Sequence, residues 1–125
     1  MSSMTKLLYY PEALLSERVH ACLVEAGAQD ADAEATTRAL LHASRIGVDS
    51  HGVRLVGHYV RLLRSGGVNS LPVPVFTRTG PATGQLNADG GLAHSAASRA
   101  MDEAVALARG AGIGAVGVHP CSHFG

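Results

Sequence analysis

The 125 residues suit one domain with a hydrophobic core, and 46% apolar against 16% charged residues exclude a disordered or fibrous chain. Ten basic residues balance ten acidic ones without a basic stripe, which argues against a nucleic-acid partner, and no apolar run is long enough for a membrane span. Aromatic residues are only 4% and Trp is absent, so the interior must be built from Ala, Leu and Val.

The opening segment around Lys6, Leu7 and Leu8 falls short of a secretory signal. Pro11-Glu12 then starts a helix expected over about 11–26, with Leu14, Leu15, Val19, Cys22, Leu23 and Ala26 at helical spacing and Gly27 as its stop. Asp30 is placed to cap a second helix over about 30–46, whose inner face is Ala33, Thr37, Leu40, Leu41 and Ser44. A third helix is expected over about 50–65, with Ser50 as its cap and Val53, Val56, Tyr59, Val60 and Leu63 as its apolar stripe.

The pattern changes at Leu71. Two prolines followed by alternation predict an edge strand over about 73–79, and a partner strand follows over about 83–88, ending in Asp89-Gly90-Gly91. Helical period returns over about 92–109, where small residues permit close packing. Gly110 and Gly112 break it, and the glycine run through Gly114 leads into a strand that begins at about 113 and runs to 119, expected to be buried. These glycines follow a helix and enter a strand, the reverse of a Rossmann fingerprint, so they read as helix termination and tight packing. The order gives an α/β chain, a helical layer on a small mixed sheet, without regular βαβ alternation. It stops just beyond a strand, and an incomplete fold is the expectation. Cys22 and Cys121 are too few for a disulfide scaffold, which favours a reduced, cytoplasmic protein.

Two clusters can carry chemistry. In Asp49-Ser50-His51-Gly52-Val53-Arg54, a helix start capped by Ser50 attracts anions. His51, Arg54 and His58 recur at i, i+3 and i+7 and can share a face. Arg54 can clamp a carboxylate and His51 can pass a proton, while the plain alternative is a capped helix with a solvated polar face. In His119-Pro120-Cys121-Ser122-His123, extended geometry would put His119, Cys121 and His123 on one side as metal ligands. Pro120 disrupts that alternation, so no metal is expected, and His123 reads as an acid/base group or as a loop histidine bonded to backbone.

Together these stretches resemble the type-2 malate/L-lactate dehydrogenase family, which includes ureidoglycolate, diketogulonate and sulfolactate dehydrogenases and cyclic-imine reductases. Ser44 through Val53, Tyr59 through Asn69, Asp89-Gly90-Gly91-Leu92 with its Ala/Met helix, and Ser122-His123-Phe124-Gly125 carry the resemblance in order and spacing. It implies a non-Rossmann fold, an NAD or NADP cofactor, and interconversion of a small-molecule 2-oxoacid, or cyclic imine, with a 2-hydroxyacid. It further implies proton transfer by His51 and His123, a positioning hydroxyl on Ser50, and Tyr59 lining the site. Many members carry Arg four residues after the first histidine, where this chain has Leu55; Arg54 comes one place early, a turn of about 100° on a helix. His58 is the candidate to compensate.

The family's chain continues past the last motif, so the resemblance implies a second polypeptide or a missing C-terminal part, in a homodimer or heteromer. Two alternatives stay open. One is a cleaved or two-subunit enzyme whose new N-terminus after Gly125 is a nucleophile. The other is a non-catalytic binding subunit or inactive remnant.

Overall fold

The computed structural model describes residues 8–123. Lys6 and Leu7 of the opening segment and the last two residues of the second motif, Phe124 and Gly125, lie outside the described residues.

Helix α1 spans Glu12–Glu25, and Pro11 occupies its cap position. Its buried stripe is Val19 and Leu23, whereas Leu14 and Cys22, expected inside, are exposed. The chain leaves α1 through Gly27 at φ +111°, a left-handed turn that side chains disfavour, and Ala28 N–H returns to the Leu23 carbonyl at 3.0 Å.

Helix α2 spans Asp30–Arg45 and buries Ala33, Thr36, Thr37, Leu40 and Leu41. The cap position falls to Gln29 and no side chain bonds it. Asp30, expected as the cap, is the first helical residue instead and lies 3.0 Å from His20 of α1. With Asp32 it still places negative charge at the positive end of the helix dipole.

The third helix, α3, is shorter than the sequence suggests. It spans Val56–Ser65, and the expected first turns are two 3-10 turns, Asp49–His51 and Val53–Leu55, split by extended Gly52. Ser50 therefore does not cap α3; Leu55 holds that position. Packing supplies the reason. A Cβ on Gly52 would sit 2.2 Å from Ser44 Oγ, and that oxygen accepts the Val53 N–H at 2.9 Å. Close approach to α2 thus overrides the helical continuation that propensity favours.

Strands β1 (Val75–Arg78) and β2 (Thr83–Asn87) pair antiparallel, with Phe76 opposite Leu86. Strand β3 (Ala115–His119) pairs parallel to β2, with Leu86 opposite Val118, so the sheet is mixed with β2 in the middle. Helix α4 (Ala93–Ala111) makes the crossover and buries Ala93, Ala96, Ala100 and Leu107. It ends at left-handed Gly112, and a Cβ on Gly114 would meet the Ala104 carbonyl oxygen at 2.0 Å. The glycine run ends the helix and lets strand and helix touch.

Strand β3 is not the buried strand expected. Its residues alternate between exposed and half-buried, and Ile113 before it is 70% exposed. Among the described residues it is an edge strand, paired on the β2 side alone. No described helix is long and apolar enough to cross a membrane.

The core has two parts. Val19, Leu23, Leu40, Tyr59, Leu63 and Leu92 join the helical layer, while Leu86, Ala88, Ala96 and Ala100 join α4 to the sheet. This is the α/β arrangement read from the sequence, a three-helix layer on a small mixed sheet.

Candidate functional site

Three separate segments meet where the helical layer faces the end of β3. The Asp49–His51 turn presents Ser50 Oγ 2.9 Å from His51 Nδ1, a hydrogen bond whose direction follows the imidazole tautomer. The His51 and His123 rings stand 6.0 Å apart, centroid to centroid, at 38°. Tyr59, 1% exposed on α3, donates its hydroxyl to the His123 carbonyl at 3.1 Å.

Backbone contacts hold the segment after β3 in place. Gly90 N–H donates to the Pro120 carbonyl at 3.0 Å, and Ser122 N–H donates to the Gly91 carbonyl at 3.1 Å. Ser122 Oγ accepts the Ala93 N–H at 3.0 Å, satisfying one donor at the start of α4. The same arrangement separates the other candidate ligands of the segment. Cys121 packs on the Leu86 cluster while His119 stays exposed, and no metal-capable group of three forms among the described residues.

A cleft of about 370 Å³ opens beside these groups, lined by His42, Val48, His51, Leu55, Tyr59 and His94. His94, in the first turn of α4, meets the Tyr59 ring edge-on at 5.4 Å. Burial, and then the neighbouring His123 charge, lower the His94 pKa from 6.5 and favour its neutral form. Burial raises the Tyr59 phenol above 10.0, so it stays protonated. The cleft therefore combines imidazoles with a protonated phenol on a largely apolar wall, a set suited to moving a proton to or from a small carbonyl or hydroxyl compound.

Ser50, His51, Tyr59 and His123 come together from distant parts of the chain. Arg54 does not join them, being exposed and outside the cleft lining. His58 meets the Tyr59 ring edge-on at 5.5 Å but stays out of the cleft lining and lines a separate groove with Arg61 and Arg64. Leu55 stands in the wall instead, so the cleft presents an apolar side chain where the resemblance has Arg. Sequence reasoning missed His42 and His94. The only local signal for His94 is its place directly after the Gly90-Gly91-Leu92 turn; His42 has none, because α2 and α4 bring it to the cleft only by packing.

The malate/L-lactate dehydrogenase family model matches residues 11–125, and the chain belongs to that family. The malate dehydrogenase of Pyrococcus abyssi is 35% identical over 103 residues, covering 82% of this chain and 28% of that protein. The (2R)-3-sulfolactate dehydrogenase (NADP(+)) of Chromohalobacter salexigens is 34% identical over 105 residues, covering 84% of this chain and 31% of that protein. Among solved structures, malate dehydrogenase from Pyrococcus horikoshii OT3 superposes with a TM-score of 0.89 at 32% identity, covering 94% of this chain and 34% of its own. The chain thus spans about a third of the length of the relatives it matches.

Proposed function

We propose that this chain forms the proton-handling half of a nicotinamide-dependent oxidoreductase that interconverts a 2-oxoacid, or a cyclic imine, with its reduced form. One observation carries the reading: His51 and Tyr59 line one cleft, with Ser50 bonded to His51 and the His123 segment held beside them by Tyr59. Family membership and the dehydrogenase names of the relatives support it.

The donor set fits the reacting end of such a cofactor. Carbonyl reduction needs a proton donor beside the hydride source, and a histidine of the cleft acting as general acid would supply it. His51, Leu55 and Tyr59 would flank the nicotinamide ring and the substrate. Residues Gly110 to Gly114 make no diphosphate loop, because they run from helix to strand and Gly114 lies against Ala104. When bound, the cofactor supplies the hydride.

The chain's own residues do the rest. Ser50 holds His51 by Nδ1, which leaves Nε2 to give a proton to the substrate oxygen during reduction and to take it back during oxidation. His123 stands as the second acid/base group, with its backbone fixed by Tyr59. The edge of β3 and the exposed Met101, Val105 and Ile113 support completion by further chain or by a second polypeptide, in a homodimer or heteromer.

Replacing His51 and His123 with Ala in the completed assembly tests the reading. Turnover should fall about 10²-fold or more with binding of the chain's partner unchanged. Unchanged turnover would sink the proposal.

Leu55 favours a second reading, a repurposed binding subunit that has lost the carboxylate clamp. In that case the completed assembly binds the reduced cofactor without oxidising it in the presence of any 2-oxoacid.

A further inference from the structure

Among the described residues lining the histidine cleft there is no Lys, Arg, Asp or Glu. Ala43, Val48 and Leu55 belong to its apolar wall, and its side-chain donors are His42, His51, Tyr59 and His94. A 2-oxoacid brings a carboxylate, which needs hydrogen-bond donors to offset the hydration it loses on entering such a cleft. Two of the four donors have other partners. The Tyr59 hydroxyl bonds the His123 carbonyl at 3.1 Å, and Ser50 holds His51 at Nδ1, leaving its other nitrogen for the reacting oxygen. His42 and His94 remain.

These two imidazoles come from different helices, His42 from the last turn of α2 and His94 from the first turn of α4. Both also line the groove of about 560 Å³ beside the cleft, so they stand together at the boundary of the two spaces. No side chain bonds the cap position of α4 at Leu92, and the positive end of that helix's dipole favours an anion near His94. The arginines of the neighbouring groove are already matched, Arg38 with Glu34 and Arg45 with Glu12.

We propose that His42 and His94 hold the carboxylate of the 2-oxoacid, in place of the guanidinium that the resemblance puts where this chain has Leu55. The proposal rests on the redox reading above and supplies the carboxylate-binding residues that reading lacks. It also links binding to protons. Tyr59 of α3, His123 of the segment after β3, and Arg38, His42 and Arg45 of α2 are the titratable or charged groups around His94. Burial and then the His123 charge favour its neutral form, and a carboxylate beside it favours the protonated one. Carboxylate binding therefore takes up a proton and tightens as pH falls.

The test is an NMR titration of the protein as isolated, with any co-purifying polypeptide, using pyruvate and its neutral methyl ester as separate probes. Pyruvate should bind more tightly at about pH 6 than at about pH 8, and the ester should show no such change. His42→Ala and His94→Ala should each weaken pyruvate binding about tenfold, the loss expected for a charge-assisted hydrogen bond, and flatten its pH dependence. Arg54→Gln removes an exposed charge outside the cleft lining and should change affinity by less than about twofold. Circular dichroism checks that each variant remains folded, and the pH comparison of the two probes on the parent chain needs no substitution. Absence of pyruvate binding overturns the proposal, as does ester binding of equal strength or equal weakening by Arg54→Gln. The turnover test of His51 and His123 reads proton transfer, so its failure leaves this contact standing, and failure here leaves that test untouched.

Discussion

The Tyr59 hydroxyl donates to the backbone carbonyl of His123 at 3.1 Å, joining α3 to the segment after β3 over a sequence separation of 64 residues. The ring beneath that hydroxyl belongs to the helical core, so one side chain both fills the interior and fixes the backbone of a candidate acid/base residue.

Tyr59→Phe keeps the ring and removes this bond. Urea unfolding should show a loss of about 1 kcal/mol, the usual net worth of one hydrogen bond. Tyr59→Ala also empties a core position and should cost about 3–5 kcal/mol. Equal losses for the two variants would show that the hydroxyl, rather than ring packing, dominates.

Gly114 and Gly117 lie near each other in sequence yet should respond oppositely to Ala. At Gly114 the new Cβ would press on the Ala104 carbonyl, and thermal melts should show a loss of about 2 kcal/mol or more. Nothing lies within 4 Å of a Cβ at Gly117, and the substitution there should be neutral or slightly stabilising.

Acid should weaken the fold through His94. Its folded-state pKa is lowered from 6.5, so the unfolded chain binds the proton more tightly. The stability it contributes is present above 6.5 and is lost as pH falls through the lower, folded value. Denaturation midpoints measured across that range should show a shallower pH dependence for His94→Gln than for the parent chain.

Alkali acts through Tyr59 in the opposite direction. Burial makes the folded state hold the phenolic proton more tightly than a free tyrosine, whose pKa is 10.0, so this contribution is full below that pH and fades as pH rises through the folded value. Absorbance titration of Tyr59→Phe against the parent should lose the tyrosine that ionises last.

Ser50→Ala should lower turnover of the completed enzyme about tenfold and alter its pH profile, because His51 loses the partner 2.9 Å from Nδ1. An unchanged profile would assign Ser50 a role in the turn alone.

Local periodicity and punctuation determined the helices, the two paired strands and their order. Their signals lie within a few residues: apolar spacing in α1 and α2, prolines before β1, and glycines after α3 and α4. The paired histidine motifs were equally legible, since Ser50, His51 and His123 stand in short runs whose resemblance to a family survives without coordinates. Tertiary contacts decided the rest. Nothing local reveals that Ser44 fills the space a side chain at residue 52 would need, yet that contact splits the third helix and sends Arg54 outward. The exposure of β3 depends on which strands stand beside it, and no property of its own residues encodes that. His42 and His94 enter the cleft only because α2 packs on α4, a meeting of residues far apart in sequence that single-chain periodicity cannot express.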